Sequence, residues 1–188
     1  MRRHEIVLAR HGRPLVRHVR SIAGRELGGW VRHYNECGID RDTSPPDALR
    51  RLAASAGRVL SSDLPRSTES AACLSESAIV DPRLREAGLP DRISLPLRLP
   101  PGICVILARV AWWLDWSESP ETIEDARQRA GRATDRLCEL ADEHGSVLVV
   151  GHGMFNRFVA KCLRQRGWSG PRMLPREHWS FARFARNL

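Results

Sequence analysis

Apolar residues along this chain fall into two patterns: short unbroken runs, and longer stretches in which they recur every three or four positions. Three runs stand out: EIVLA at Glu5 to Ala9, RVLSS at Arg58 to Ser62, and SVLVVG at Ser146 to Gly151. Rich in β-branched and aliphatic side chains, they carry the pattern of parallel strands covered on both faces. After Ser62 comes DLPRSTESAACLSES, where Asp63 is placed to cap a helix and Pro65 to fill its first turn. After Gly151 comes HGMFNRFVAKCLRQR, with Phe155, Phe158, Val159 and Leu163 on one face. A longer amphipathic stretch, PETIEDARQRAGRATDRLCELADEHG, precedes the third run. Its Ile123, Ala130, Leu137 and Leu140 share the apolar side, and its acids gather early, where the helix dipole favours them. The most apolar stretch, GICVILARVAWWLDW, is broken by Arg109, is too short to span a bilayer, and predicts a buried helix. Pro and Gly cluster between Gly88 and Gly102, which predicts an extended loop with a short strand at Ile93 to Leu99. The alternation in WSFARFA predicts an edge strand. Strands alternating with helices define an α/β domain with a layered sheet, and no repeat or linker divides the 188 residues into more than one domain.

Composition narrows the functional classes. At 42% hydrophobic and 28% charged, the chain is globular and neither disordered nor fibrous. The net charge of +8 favours anionic partners, yet it is almost all arginine, Lys161 being the sole lysine. No helix-turn-helix, zinc-finger spacing or aromatic RNA-binding signature accompanies those arginines, so nucleic acid is not the expected partner. Five scattered cysteines without a C-x-x-C pair suit a reducing, cytoplasmic compartment and offer no metal motif. The N-terminal MRRHEIVLARHG builds no signal-peptide core, and neither secretion nor membrane attachment is expected.

The chemistry collects where the three strands end. In open α/β sheets, ligands bind beyond the carboxyl ends of the strands. Here the first run leads into Arg10, His11 and Gly12, the second into Ser62 and Arg66, and the third into His152 and Gly153. Two guanidinium forks match phosphate oxygens, and the helix beginning at Gly153 adds its positive end and free amides. Gly12 and Gly153 allow the backbone close to an anion, although each also fits an ordinary turn. Nearby arginines keep the His11 imidazole neutral and hence nucleophilic. Attack on phosphorus would give a phosphohistidine, with Arg10, Arg66 and His152 holding the oxygens. The leaving oxygen needs a proton, for which Glu86 in DPRLREAGLP is the candidate, with Asp63 and Glu121 as substitutes.

These residues carry a family resemblance. IVLARHGRP resembles the R-H-G signature of the histidine phosphatase superfamily, the group that includes phosphoglycerate mutases and many small phosphatases. VLSSDLPRSTESA is similar to that family's second signature, VLVVGHGMFNR to its late H-G motif, and DPRLREAG to the segment supplying its acid, all in family order from Glu5 to about Phe158. The resemblance implies a three-layer α/β/α fold with a mostly parallel sheet, His11 as the phosphorylated residue, and Arg10, Arg66 and His152 around the phosphate. It further implies Glu86 as general acid and base, with no cofactor and no metal. Where mutase-like members continue with an acidic or polar pair and an asparagine, this chain reads RHGRPLVR, so Arg13 and Arg17 either attract extra negative charge or are solvated. The short stretch between Glu86 and His152 leaves room for only a minimal cap, which favours hydrolysis over phosphate shuttling. A phosphomonoester hydrolase acting on a small phosphorylated metabolite is the reading that follows. A phosphate-binding regulatory domain without turnover and a phosphotransferase of the mutase type are the alternatives.

Other candidates take plainer readings. Ser62 and Asn156 are further phosphate contacts or, equally, a turn serine and a helix-surface asparagine. Trp112, Trp113 and Trp116 are read as packing rather than as a wall over the site. His178 and Trp179, before the last strand, either approach the pocket from that side or are structural, and are read as structural; His4, His18, His33 and His144 are read as surface residues. Substrate identity and oligomeric state are not legible.

Overall fold

The computed structural model describes residues 3–94, 97–116 and 119–187. The three expected strands form: β1 (Arg3–Arg10), β2 (Arg58–Ser61) and β4 (Ser146–Gly151), with a two-residue β3 (Ile79–Val80) and a terminal β5 (Phe181–Asn187) beside them. The sheet order is β3-β2-β4-β1-β5. β4 runs parallel to both β1 and β2, β3 runs parallel to β2, and only β5 is antiparallel, on β1. The alternating WSFARFA segment thus does add an edge strand. The fold is a three-layer α/β sandwich around a mostly parallel sheet.

Why the central strands read as continuous apolar runs is visible in their packing. Ile6, Leu8, Leu60, Val147 and Val149 pack on one face against α5 (Ile123–His144) and α6 (Gly153–Gln165). Val7, Ala9, Val59, Leu148 and Val150 pack on the other, with Leu49 and Ala53 of α2 (Asp47–Ser55) and Ala71 of α3 (Pro65–Ala72). Helix α5 starts on a Thr122–Asp125 capping box and stops where Gly145 takes φ +80°, a conformation that glycine adopts without strain. Ala130, Leu137 and Leu140 are buried as the spacing requires, and so are Phe155, Phe158, Val159 and Leu163 of α6. A third, smaller cluster joins Leu27 of α1 (Leu27–Glu36) to Cys104 and Ala108 of α4 (Pro101–Trp113), forming a modest cover beside the sheet.

Several expectations are corrected. Helix α4 is not buried: only Cys104, Ala108 and Trp112 turn inward, while Ile106 is 63% exposed and Ile103, Val110 and Leu114 lie open beside it. The apolar count of that stretch exceeds what one contact face can cover. Asp63 does not cap α3, whose N-cap is Leu64 without a side-chain bond; the Asp63 carboxylate is held instead by Arg85 at 2.5 Å. Of the strand expected at Ile93 to Leu99, residues 95 and 96 lie outside the described residues, and Leu99 makes an isolated bridge to Ile22. His4 is buried and His144 half-buried, whereas His18 and His33 are exposed as expected. Among the described residues no helix is long and apolar enough to cross a membrane.

Candidate active site

The carboxyl ends of β1, β2 and β4 bring the histidines together. The His11 and His152 rings lie with centroids 5.1 Å apart, both buried, His11 immediately after β1 and His152 as the N-cap of α6. Arg66, in the first turn of α3, is only 1% exposed. Its Nη1 donates to the Tyr34 carbonyl at 3.1 Å and to Asn35 Oδ1 at 3.2 Å, and its guanidinium lies 4.5 Å over the Tyr34 ring. Arg10 donates to the Arg176 carbonyl. Among the described residues neither Arg10 nor Arg66 makes an ion pair, and Arg10 Nε, Arg66 Nε and His152 Nδ1 are buried without a hydrogen-bond partner. A buried guanidinium without an ion-pair partner, as at Arg66, and a half-buried one whose Nε is enclosed, as at Arg10, are costly on their own and fit an anion that arrives from solution.

The tautomer of His11 follows from its hydrogen bond. His11 Nδ1 lies 2.7 Å from the Gly12 carbonyl, which can only accept, so Nδ1 carries the hydrogen and the lone pair sits on Nε2. Burial, with the charges of His152 and Arg66 behind it, holds the His11 pKa well below the ordinary histidine value. Burial and then the Arg66 and Arg10 charges do the same to His152. His152 Nε2 lies 2.6 Å from Ser62 Oγ, which already accepts from the Leu64 amide at 3.4 Å. With the Ser62 hydroxyl donating to Nε2, the neutral ring carries its hydrogen on Nδ1 and can donate from there. Ser62 acts on His152 rather than facing the cavity itself.

Glu86 follows a short 3-10 turn at Pro82–Leu84 and lies against the start of α6. Its carboxylate accepts from the amides of Phe155 at 2.8 Å, Met154 at 3.2 Å and Ala87 at 2.9 Å. The amides expected to be free for an anion at that helix end are thus partly taken by Glu86. The two substitute acids are engaged elsewhere, Asp63 by Arg85 and Glu121 by Arg129 at 2.7 Å. Asn156 is neither on the helix surface nor aimed at an anion: it is buried and donates to the Ala9 carbonyl at 3.0 Å.

The segment before β5 does approach the site. His178 brings its ring to 5.5 Å from His11, and burial followed by the Arg10 and Arg13 charges pushes its pKa down to about 4. Around it the chain clamps the end of β1: Ser180 O accepts from the Arg10 amide at 2.8 Å, and the Trp179 amide donates to His11 O at 3.3 Å. A Cβ on Gly12 would come within 2.5 Å of the Trp179 ring, so the glycine is required by that packing. Gly153 is under no such demand, since a Cβ there would meet Arg10 at an ordinary 3.7 Å. The only sequence signal was proximity to a strand that pairs with β1. Trp112 packs inward as expected, whereas Trp116 is 77% exposed and none of the three tryptophans lines the cavity over the site. Arg13 and Arg17 are exposed and do not line it either.

A sequence profile of the histidine phosphatase superfamily (branch 1) matches residues 6–186, and the chain belongs to that family. Phosphatase or phosphotransfer chemistry is the class of activity that goes with it. No curated protein matches in sequence. Among solved structures, the chain is similar to mycobacterial glucosyl-3-phosphoglycerate phosphatase Rv2419c, with 20% identity over 98% of this chain and 91% of that one and a TM-score of 0.61. It is similar to the open reading frame Rv3214 of Mycobacterium tuberculosis at 18% identity, covering 96% and 90%, with a TM-score of 0.60. A putative alpha-ribazole-5'-P phosphatase from Escherichia coli shares 16% identity over 84% and 78%, with a TM-score of 0.54. At these identities the likeness is one of fold.

Proposed function

We propose that the chain is a phosphomonoester hydrolase that carries the phosphoryl group on His11. The observation that carries this reading is the buried, neutral His11, its lone pair on Nε2, beside the buried Arg66 and the half-buried Arg10, neither of which makes an ion pair among the described residues. Nε2 attacks phosphorus, the phosphorus–oxygen ester bond breaks in line, and the leaving oxygen takes a proton from Glu86. Arg10, Arg66 and the Nδ1–H of His152 hold the phosphoryl oxygens as charge spreads over them. Glu86, now a carboxylate fixed by three amides, takes a proton from water; the water attacks phosphorus, the nitrogen–phosphorus bond breaks, and His11 returns neutral. Ser62 keeps His152 in the donating tautomer. Membership of the family and the two neighbours that are named as phosphatases, one of them putative, support the class of reaction.

Phosphate release from p-nitrophenyl phosphate tests it. His11→Ala lowers kcat by more than ~10³-fold and removes the acid-labile phosphoprotein trapped in the wild type. Turnover that survives the substitution overturns the assignment of His11. Label that stays on the histidine without free phosphate accumulating would instead favour a mutase-type transfer.

A further inference from the structure

The cavity over the phosphate end, about 790 Å³, has two unlike parts. Six arginines and four Asp or Glu residues line it; with Glu86 protonated as the proposed acid the surplus is three positive charges, of which one phosphate dianion neutralises two. Beyond that dianion little cationic capacity is left. Arg85 is spent on Asp63, and Arg129 on Glu121 together with the carbonyls of Arg83 and Arg85. Arg109 donates to the carbonyls of Ala87 and Gly88 and lies over the Trp112 ring. Arg32 is exposed to solvent at the rim, where a single ion pair adds little. A second anionic group drawn into the cavity would shed water without gaining a buried cation.

The rest of the wall suits a different chemistry. Trp30 stacks on Tyr34 with ring centroids 5.2 Å apart and planes at 21°, continuing the Arg66–Tyr34 stack away from the phosphate end. Val31, Leu89 and Val105 stand beside it, each only partly covered by the small core cluster of α1 and α4. Such a surface binds by area and by ring stacking, not by charge.

We propose that the substrate carries a single phosphate on an apolar or aromatic body and no second anionic group. This rests on the phosphomonoesterase reading above. The test compares benzyl phosphate, glycerol 1-phosphate and 3-phosphoglycerate on the full chain. All three are esters of unactivated alcohols, so leaving-group reactivity does not set their order. The expected kcat/KM for benzyl phosphate is at least tenfold above that for glycerol 1-phosphate, with 3-phosphoglycerate lowest. Trp30→Ala narrows the benzyl advantage at least threefold, mainly through KM; the wild-type order stands without this variant should it misfold. Equal or reversed ranking, with phosphate released, overturns the substrate class and leaves the hydrolase reading intact. No release from any of the three overturns both.

Discussion

Strand β1 buries a histidine at each end, and the two live in opposite company. His4, at the amino end, lies 2.8 Å from the Asp142 carboxylate, which also receives Arg186 at 2.6 Å from the paired position on β5. His11, at the carboxyl end, meets Arg66, Arg10, His152 and His178, and no carboxylate pairs with either arginine among the described residues. Burial is the same, so burial does not mark function. What separates the ends is charge balance: one is closed by an ion pair within the protein, while at the other neither arginine has an ion-pair partner among the described residues, which is what the proposed phosphate site requires.

The contrast can be broken or sharpened by measurement. Glu86→Gln keeps the shape of the acid but cannot give or take the proton, and kcat is expected to fall by ~10²–10³-fold with the folding transition little changed. An unchanged kcat would move the acid elsewhere. His178→Ala removes an imidazole that flanks His11; kcat falls ~10-fold with KM nearly constant, as for loss of positioning. A pure KM effect would place His178 on the substrate instead. His4→Ala should act in the opposite sense, costing ~1–3 kcal/mol of unfolding free energy in urea while kcat/KM stays within about twofold. Loss of activity in a folded His4→Ala protein would erase the distinction between the two ends. The smallest effect is on pH dependence. His11 and His152 have folded pKa values below the ordinary 6.5, so the unfolded chain binds protons that the native one excludes. Stability is greatest above pH 6.5 and declines as pH falls towards the folded values. The urea midpoint should be lower at pH 5.5 than at 7.5, and that difference should shrink in His11→Ala.

The sheet centre was readable because β1, β2 and β4 are covered on both faces, which leaves unbroken apolar runs, and α5 and α6 because they expose one whole face. Helices α1 and α2 were not. The first contains Gly28 and Gly29, and the second buries only Leu49 and Ala53, so neither carries a stripe strong enough to stand out. Helix α4 misled for the converse reason: apolar residues all round suggested burial, but only one side has a partner. In the site, the strand-end rule brought Arg10, His11, Arg66 and His152 to one place. It did not by itself place His178, named only as an option, which reaches His11 through the antiparallel pairing of β5 with β1, a contact that local pattern does not encode.

That same pairing has a bearing on biosynthesis. The amide of Arg10 waits for Ser180 and the carbonyl of His11 for Trp179, while β1 itself is flanked by β4 and β5. His11, the proposed nucleophile, is made before α6, Trp179, Ser180 and β5, which support it. A nascent chain halted before α6 would hold His11, Arg10 and Arg66 without the segment that clamps the end of β1.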